Sequence, residues 1–498
     1  MLIRLVDHVL VGRFPTQNAC FVASLMALAQ AVHIQKATMS GASLTALTFA
    51  FLFFLIGFSL FQFVRRINQN PEIVRVLEAN QAKRDHIFIW LLKIAVLQQL
   101  WFFVSNIPHQ DTLTISITFL VGAVIFCFDA PMGRAPNRDN LPHNVIALWH
   151  RQRPLVILGL HLFICLTYLL WAFGTAKRTP DVYYFQRDGC RALLEGINPY
   201  TLRPPSIYPP GTPFYAPELV KDGILQFGYV YMPLTLLMAL PGYLMGDVRF
   251  ALLIAMSLCG WCLMQLKPTQ RFEIANPDAS EQASRIMVLA ASLLLFFPFF
   301  IYFLFNAWTD SFVAVTFCVV VLCAFRRSPW LPVAVGLWLV SKQYVVVMLP
   351  LVMLLIPPST SSKDKKRFFS VVLGTALVVS LPMILWNVRE FVWSALLLQF
   401  KQPLRDDALS FLVASKLLGF SLPFWLPFSL AIAATIWALK VAPRNVHGFC
   451  AACTLVFFVF VAWNKQAFIN YYFVIFAMLC CTLATFNQED RVVSDNLR

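Results

Sequence analysis

Long apolar runs recur along nearly the whole chain, and they constrain its fold more than any other feature. A helix of about 20 apolar residues matches the roughly 30 Å thickness of a bilayer's hydrocarbon core. Inside a bilayer only helices and closed barrels satisfy their own backbone hydrogen bonds. The runs are continuous rather than alternating, which indicates helices and excludes a barrel. The sequence therefore predicts an all-α, polytopic integral membrane protein.

The candidate spans cover most of the chain. They are residues 18–37, 41–64, 86–106, 112–129, 154–175, 250–266, 285–304, 311–325, 329–341, 343–357, 367–386, 421–440, 446–463 and 467–486. Composition agrees, because 59% of the residues are hydrophobic, only 13% are charged and the mean hydropathy is +0.70. Soluble domains carry roughly a quarter charged residues.

The net charge of +15 has a simple explanation in membrane topology. Lys and Arg crowd into short segments between the apolar runs, as the positive-inside rule predicts for cytoplasmic loops. We therefore expect contacts with membrane lipids and no nucleic-acid partner. The basic clusters are Arg65, Arg66, Arg75, Lys83 and Arg84; Arg134, Arg138, Arg151 and Arg153; Lys267 and Arg271; Arg326 and Arg327; and Lys363, Lys365, Lys366 and Arg367.

Segment 229–245 determines the topology. Its prolines and Gly242 make it a poor spanning helix. If it stays outside as a hairpin or interfacial element, every basic cluster falls on the same, inner side. The outer connections are then 176–249, 305–310, the region around 342, 387–420 and 464–466.

The long outer loop 176–249 follows an apolar run and includes DVYYFQRDGCRALLEG, which predicts an amphipathic helix lying on the bilayer surface. Its apolar face is expected to carry Tyr184, Phe185, Ala192, Leu193 and Leu194. The proline-rich stretch RPPSIYPPGTPFYAPE after it favours extended backbone. Loop 387–420 shows a similar pattern.

Asp181 is the strongest candidate for chemistry in this loop. A carboxylate just above the membrane surface, shielded by Tyr183 and Tyr184, has the reactivity of a general base if its pKa suits the operating pH. Two alternatives remain open, a solvated loop acid and an acidic cap of the helix Val182–Leu194. Asp188 and Asp310 are the substitutes if another acid is the base.

Three cations fall on the same predicted face. Lys342, Arg405 and Lys465 lie far apart in sequence. Together they suit a phosphate or diphosphate, which Lys meets as a point charge and Arg as a bidentate fork. Either lysine alone is equally consistent with a side chain that snorkels to the headgroups.

No metal or cofactor is expected. Ten of the twelve cysteines lie in apolar runs, including two pairs with CxxC spacing, Cys259/Cys262 and Cys450/Cys453. Because Leu, Ala, Phe and Trp flank these pairs, small packing residues explain them better than metal ligands do.

At these residues the chain resembles the polyprenyl-phosphate-sugar-dependent glycosyltransferases of the GT-C superfamily, particularly glycosyltransferase family 87. The matching elements are Asp181 with Tyr183 and Tyr184, ALLEGINPY (192–200), YVYMPLTLLMALP (229–241), FNAWTDSFVAV (305–315), GLWLVSKQYVVVMLP (336–350) and WNKQAFINYY (463–472). The resemblance covers about 150–486. A Gly-Gln or Gly-Asn pair is commoner in the family where Asn306-Ala307 stands.

The resemblance implies a GT-C-like helical bundle at 151–498, preceded by an N-terminal accessory bundle of about four spans at 1–150. It implies transfer of a hexose, mannose-like in preference, from a polyprenyl-phosphate donor to a lipid-linked glycan or glycolipid, with inversion. Asp181 would be the base, and Lys342, Lys465 and Arg405 would bind the donor phosphate. The implied substrate-binding residues are Tyr183, Tyr184, Asp188, Asn198, Tyr200 and Asp310. The favoured site of action is the periplasmic or extracellular face of a bacterial inner membrane.

Two other classes fit the same substrates, a transporter or flippase for lipid-linked saccharides and an outer-face polymerase or ligase. Transporters tend to place charge near the bilayer midplane, whereas the charges here cluster at span ends, which favours the transferase. For the transferase, we expect Asp181 to line an outer-face cavity with Lys342 and Lys465 on its opposite wall.

Overall fold

Helices make up almost all of the described structure. A computed structural model describes residues 15–67, 79–105, 143–173, 179–267 and 277–486. Eighteen α-helices lie in these ranges: α1 Thr16–His33, α2 Gly41–Ile67, α3 Gln81–Ser105, α4 His143–Phe173, α5 Asp181–Leu194, α6 Pro233–Leu244, α7 Arg249–Met264, α8 Pro277–Leu295, α9 Phe300–Phe305, α10 Asp310–Phe325, α11 Leu331–Leu339, α12 Ser362–Trp386, α13 Val388–Phe391, α14 Leu398–Lys401, α15 Phe411–Leu417, α16 Leu426–Val441, α17 Val446–Ala462 and α18 Ile469–Thr485.

Short irregular elements complete the described chain. A 3₁₀ helix occupies Gln343–Leu355, shorter 3₁₀ turns occupy Ile34–Ala37, Pro199–Thr201 and Pro217–Leu219, and a π-helical turn occupies Val392–Leu397. Two strands, β1 Val220–Lys221 and β2 Ile224–Leu225, form the only sheet of the described ranges. The prediction of an all-α protein is thus confirmed for these residues.

Four segments are long and apolar enough to cross a membrane: Thr16–Ala37, Gly41–Phe63, Gln81–Ser105 and Ser362–Trp386. Their length and composition are compatible with an integral membrane protein. The predicted span 112–129 lies outside the described residues. The predicted span 285–304 is interrupted, because α8 ends at Leu295 and α9 starts at Phe300.

Segment 229–245 forms the short helix α6, which a sharp bend separates from α7. Helix α6 begins with Pro233, which supplies no backbone donor and suits a first helical position. It meets α7 at an angle of 112°. Asp247 stabilises the bend, because its carboxylate accepts hydrogen bonds from the backbone amide and the guanidinium of Arg249.

The most buried helices, α17 and α18, lie against each other at the centre of the core. Edge-to-face aromatic pairs join α18 to the 295–300 region through Phe473 and Phe297, and α17 to α2 through Phe458 and Phe51. The described helices of the predicted N-terminal bundle therefore share one apolar core with the rest of the chain.

Helix α5 has bounds that its sequence explains. Pro180 precedes it in an extended conformation, and Asp181 places a negative charge on its first turn, where the helix dipole favours it. The helix ends in a Schellman motif. The amide of Ile197 donates to the Ala192 carbonyl, and Gly196 adopts a φ of 72°.

The buried face of α5 differs from the predicted apolar face. Phe185, Gln186, Gly189, Cys190 and Ala192 are buried, and the helix packs on α6. Leu194, which was predicted to belong to that face, is 53% exposed. The prediction is confirmed for Phe185 and Ala192 and wrong for Leu194, because the small residues Gly189 and Cys190 allow α6 and its flanking aromatic residues to approach closely, which a hydrophobicity pattern does not show.

The remainder of loop 176–249 folds over the start of α5. Residues 203–217, here called the strap, are held by the hairpin β1–β2 through hydrogen bonds from Leu225 to the Pro204 carbonyl and from Ser206 to the Gly223 carbonyl. The hairpin turn is Asp222-Gly223, with φ angles of 51° and 75°. Asp-Gly favours this conformation in two-residue hairpins.

Gly228 joins the strap region to the segment before α6 and has no room for a side chain. A Cβ there would overlap the Tyr200 carbonyl oxygen. We expect Gly228→Ala to lower the free energy of unfolding by about 1–3 kcal/mol, the usual cost of overpacking. The measurement is thermal unfolding of the purified protein. Gly374→Ala, within α12 and with open space around it, is the matched control and should not destabilise.

Candidate functional site

Five connections meet at one end of the helix bundle. Gln186 of α5 donates to the Ala307 carbonyl, Gln343 donates to the Val230 carbonyl, and the amide of Arg405 donates to the Lys465 carbonyl. Trp393 joins the fourth connection to the first by donating to the Gln226 carbonyl. The segments that the sequence analysis assigned to a single face are therefore neighbours in space.

Asp181 lies in the first turn of α5, and its carboxylate is held by groups from two directions. One oxygen accepts a hydrogen bond from the Val182 amide at 2.8 Å, and the other accepts one from the Tyr215 hydroxyl of the strap. Tyr208, also of the strap, is a further hydrogen-bond partner. Asp181 is thus not the solvated loop acid of the first alternative, although it does occupy the first helical turn that the second alternative describes.

The surroundings of Asp181 raise its basicity. Burial raises the pKa of its carboxyl, while the hydrogen bonds from Tyr215, Val182 and Tyr208 and the charge of Arg405 act in the opposite direction without cancelling the rise. Burial and the neighbouring carboxylate raise the pKa values of Tyr208 and Tyr215 as well, so both stay protonated and donate.

Asp181 lines a partly open cavity between the start of α5, the strap and the segment before α6. The polar residues of its wall are Asp181, Tyr184, Asp188, Tyr215 and Tyr229. Neither Lys342 nor Lys465 belongs to this wall, so the expectation that both lysines line the cavity of Asp181 is wrong. Each lysine is instead held by partners of its own.

Lys342 is bound to Asp310 in a buried pair. Its ammonium lies 2.7 Å from the Asp310 carboxylate, which also accepts hydrogen bonds from Tyr344 at 2.7 Å and Asn470 at 2.9 Å. Asp310 is 1% exposed and Lys342 is 5% exposed. The ring centroids of Tyr231, Tyr344 and Tyr471 lie 5.3, 5.4 and 5.5 Å from the ammonium, within the range of cation–π attraction.

Arg405 is close enough to Asp181 for its charge to lower the pKa of that carboxyl, and its backbone amide donates to the Lys465 carbonyl. The guanidinium of Arg405 lies between the rings of Phe214 and Phe468 and is bidentate to Asp407, at 2.8 and 2.6 Å. Lys465 donates to the carbonyls of Phe400 and Gln402 and has no carboxylate partner among the described residues. Burial lowers the pKa of Lys465.

Tyr231 connects the two halves of the site. Burial raises the pKa of its phenol, and the charges of both Asp181 and Asp310 add to that rise, which places Tyr231 near both acids. Its ring also packs against the Lys342 ammonium. Tyr200, fully buried, donates its hydroxyl to the Tyr231 carbonyl at 2.9 Å and so positions this segment.

The other candidates divide into cavity residues and supporting residues. Tyr184 and Asp188 line the cavity. Tyr183 donates to Asp247 at 3.3 Å and packs on Arg249, and Asn198 caps the turn Pro199–Thr201 by accepting from the Tyr200 amide. Tyr183, Asn198 and Tyr200 therefore support the site, and none of these three lines the cavity.

Several residues of the site escaped the sequence analysis. Tyr208, Tyr215, Tyr229, Tyr231, Tyr344 and Asn470 all lie within short tyrosine-containing segments in or beside the predicted outer connections. A polar residue beside a charged outer-face candidate is the one signal that could have selected Tyr344 and Asn470. Nothing local distinguishes Tyr208 or Tyr215, whose contacts to Asp181 depend on the fold of the strap.

Comparisons with protein-family models, with curated proteins and with solved structures find no match to this chain.

The buried pair gives a prediction about stability. Asp310→Asn should lower the free energy of unfolding by about 3–5 kcal/mol, because it leaves the Lys342 ammonium buried without its counter-charge. Adding Lys342→Met should recover most of that loss. Chemical denaturation of the single and double variants in mixed micelles measures the coupling. Additive losses in the double variant would contradict the pairing.

Proposed function

We propose that the chain is a polytopic, inverting membrane glycosyltransferase of GT-C-like architecture that uses a polyprenyl-phosphate sugar donor. The observation that carries the proposal is the Asp181 carboxylate, which is held by two hydrogen-bond donors at the wall of a partly open cavity, has a raised pKa and lies close to the cation Arg405. A basic carboxylate beside a space for an acceptor and a cation for a leaving phosphate is the arrangement that glycosyl transfer to a hydroxyl needs.

The reaction follows from these positions. Asp181 accepts the proton of the acceptor hydroxyl while that oxygen forms its bond to the anomeric carbon of the donor. The bond from the anomeric carbon to the phosphate oxygen breaks at the same time, and the electron pair leaves with the polyprenyl phosphate. Attack from the face opposite the leaving group inverts the configuration.

Lys465 is the residue best placed for the leaving phosphate, and Arg405 joins it in this proposal by exchanging Asp407, a carboxylate that is 47% exposed, for the phosphate. The Lys465 ammonium donates hydrogen bonds to two backbone carbonyls, and no described carboxylate neutralises its positive charge. Lys342 takes a different part in this proposal from the one expected, because its charge is already matched by Asp310. It holds Tyr231 and the start of the 3₁₀ helix in place beside the site.

A membrane location fits the distribution of charge. At the end of the bundle opposite Asp181, the guanidinium of Arg326 donates to the Gln265 carbonyl, so two of the predicted basic loops are neighbours. Basic loops at the end away from the site agree with the positive-inside rule and with an active site on the outer face of a bacterial inner membrane. The acceptor is a lipid-linked glycan or a glycolipid.

A transporter for lipid-linked saccharides is the second candidate, and two observations favour it. The Asp310–Lys342 pair is buried, and the elements around it are broken, with a 112° bend between α6 and α7 and a 3₁₀ segment after Lys342. Broken helices beside buried charge are common in transporters. The reason to prefer the transferase is the position of Asp181, which lies at the wall of a cavity in a predicted outer connection rather than within a predicted span.

The test of the function is transfer of labelled sugar from polyprenyl phosphate by membranes that contain the protein. We expect Asp181→Asn to reduce transfer by roughly 100-fold or more, the usual contribution of a general base. Asp222→Asn, the same change at the exposed hairpin turn, is the matched control and should retain transfer. Full activity of Asp181→Asn would reject Asp181 as the base, and movement of intact donor without transfer would favour the transporter.

The pH dependence of transfer tests whether the pKa of Asp181 is raised. A general base acts when deprotonated, so kcat/KM should fall as the pH drops through the pKa of Asp181, and the raised pKa places this acid limb above the usual value of 3.8. Tyr215→Phe removes a hydrogen bond that lowers this pKa, so the limb should move to higher pH. An acid limb that is unchanged in Tyr215→Phe would show that another group sets it.

A further inference from the structure

The cavity beside Asp181 holds more polar groups than proton removal requires. Asp188 follows Asp181 by two turns of α5. Two turns place both residues on one face of the helix, about 10 Å apart along its axis. Tyr229 lines the same cavity. Together with Asp181 these residues give the cavity two carboxylates and a phenol.

Asp188 keeps one oxygen free. Arg187 and Arg191 both contact its Oδ1 atom, at 2.9 and 3.5 Å, and no described group bonds to its Oδ2 atom. The side chain of Asp188 is 19% exposed and lines the cavity. A partly buried carboxylate oxygen is a strong acceptor for a hydroxyl.

The hydroxyl of Tyr229 is buried without any hydrogen-bond partner in the described part of the chain. The residue is 1% exposed, and an unsatisfied buried hydroxyl costs about 1–3 kcal/mol. Its ring lies against Gly189, where a Cβ would come within 3.0 Å of it, so the glycine next to Asp188 is what admits Tyr229 to this position. Tyr229 also lines the cavity, so a small shift of its side chain toward a bound ligand would give this hydroxyl a partner.

The charge of the wall restricts the ligand. No Lys, Arg or His is among the described residues that line the cavity, whereas two carboxylates are. Arg187 and Arg191 offset the charge of Asp188, but no described salt bridge pairs Asp181, so a phosphate or carboxylate in this space would still lie against unpaired negative charge, which is unfavourable. Sugar hydroxyls donate to carboxylates, and the aromatic and proline surfaces of the wall can pack against the C–H faces of a ring.

We propose that this cavity is a subsite for an uncharged pyranose sugar of the acceptor, in which Asp188 and Tyr229 bind ring hydroxyls while Asp181 receives the reacting one. The assignment of the ligand as the acceptor rests on the proposed function, but the preference for an uncharged sugar rests on the wall of the cavity alone.

Binding of simple sugars to the full-length protein in nanodiscs tests the proposal without any transfer reaction. Saturation-transfer NMR would compare methyl mannoside, methyl glucoside and methyl galactoside with hexose 6-phosphates and methyl glucuronide. We expect at least one uncharged glycoside to bind and the anionic sugars to bind at least tenfold more weakly. Equal binding of both groups, or no binding of the uncharged glycosides, overturns the proposal.

Two variants locate the site of binding. Asp188→Asn and Tyr229→Phe should each weaken binding of the uncharged glycoside by about tenfold, roughly the effect of one hydrogen bond to a charged or buried group. Asp188→Asn should also reduce the ratio between the affinities for uncharged glycosides and for anionic sugars. The control Asp222→Asn should bind as the wild type does, and thermal unfolding identifies any variant that has lost its fold. Unchanged binding in both folded variants rejects this cavity as the subsite.

The outcomes separate this inference from the proposed function. Selective binding that depends on Asp188 and Tyr229, in a protein that transfers no sugar, supports the subsite and rejects the transferase. Transfer that depends on Asp181, in a protein whose sugar binding ignores Asp188 and Tyr229, supports the transferase and rejects the subsite.

Discussion

The buried carboxylate of Asp310 is the interaction on which the geometry of this site depends. It receives hydrogen bonds from Lys342, Tyr344 and Asn470, which belong to the junction after α11 and to the start of α18. A buried charge is stable only when it is paired and hydrogen-bonded, so these elements must converge at α10. This convergence positions Tyr231, whose ring contacts the Lys342 ammonium. Tyr231 is also close enough to Asp181 for the charge of that carboxylate to raise the pKa of its phenol.

The environment of Asp181 results from the same packing at longer range. Gly228 lets the chain pass close to Tyr200, and the Asp222-Gly223 turn returns the backbone so that the hairpin holds the strap. The strap then supplies Tyr208 and Tyr215, whose hydroxyls donate to a carboxylate that burial alone would strongly disfavour as an anion. The hydrogen bonds from these donors lower the pKa of Asp181, so the carboxyl can ionise. Burial raises the same pKa, so the carboxylate stays a stronger base than an exposed one.

The sequence predicts local features of this site well and long-range pairing poorly. The amphipathic pattern and the Glu195-Gly196 ending predict α5 almost to the residue, and the prolines of 229–245 predict that this segment is a poor spanning helix, in agreement with the 12-residue length of α6. Asp222-Gly223 between β-prone residues also carried a hairpin signal, which went unused. The partner of Lys342 could not be predicted, because Asp310 is 32 residues away and a lysine in a polar connection has the same sequence signature whether it binds a phosphate or an aspartate.

The distribution of charge within the site indicates where the acceptor and the donor phosphate would bind in the proposed reaction. The cavity next to α5 is lined by two carboxylates and by no described cation, while Arg405 packs on the strap residue Phe214, bonds through its amide to Lys465 and does not line the cavity. An uncharged acceptor and a phosphate-bearing donor are therefore favoured in different places, and each is disfavoured in the place of the other. Asp181 is the acid that both places share, since it lines the cavity and is close enough to Arg405 for that charge to lower its pKa. In the proposed reaction, Asp181 would take the proton of the acceptor while Arg405 stabilises the negative charge that develops on the leaving phosphate.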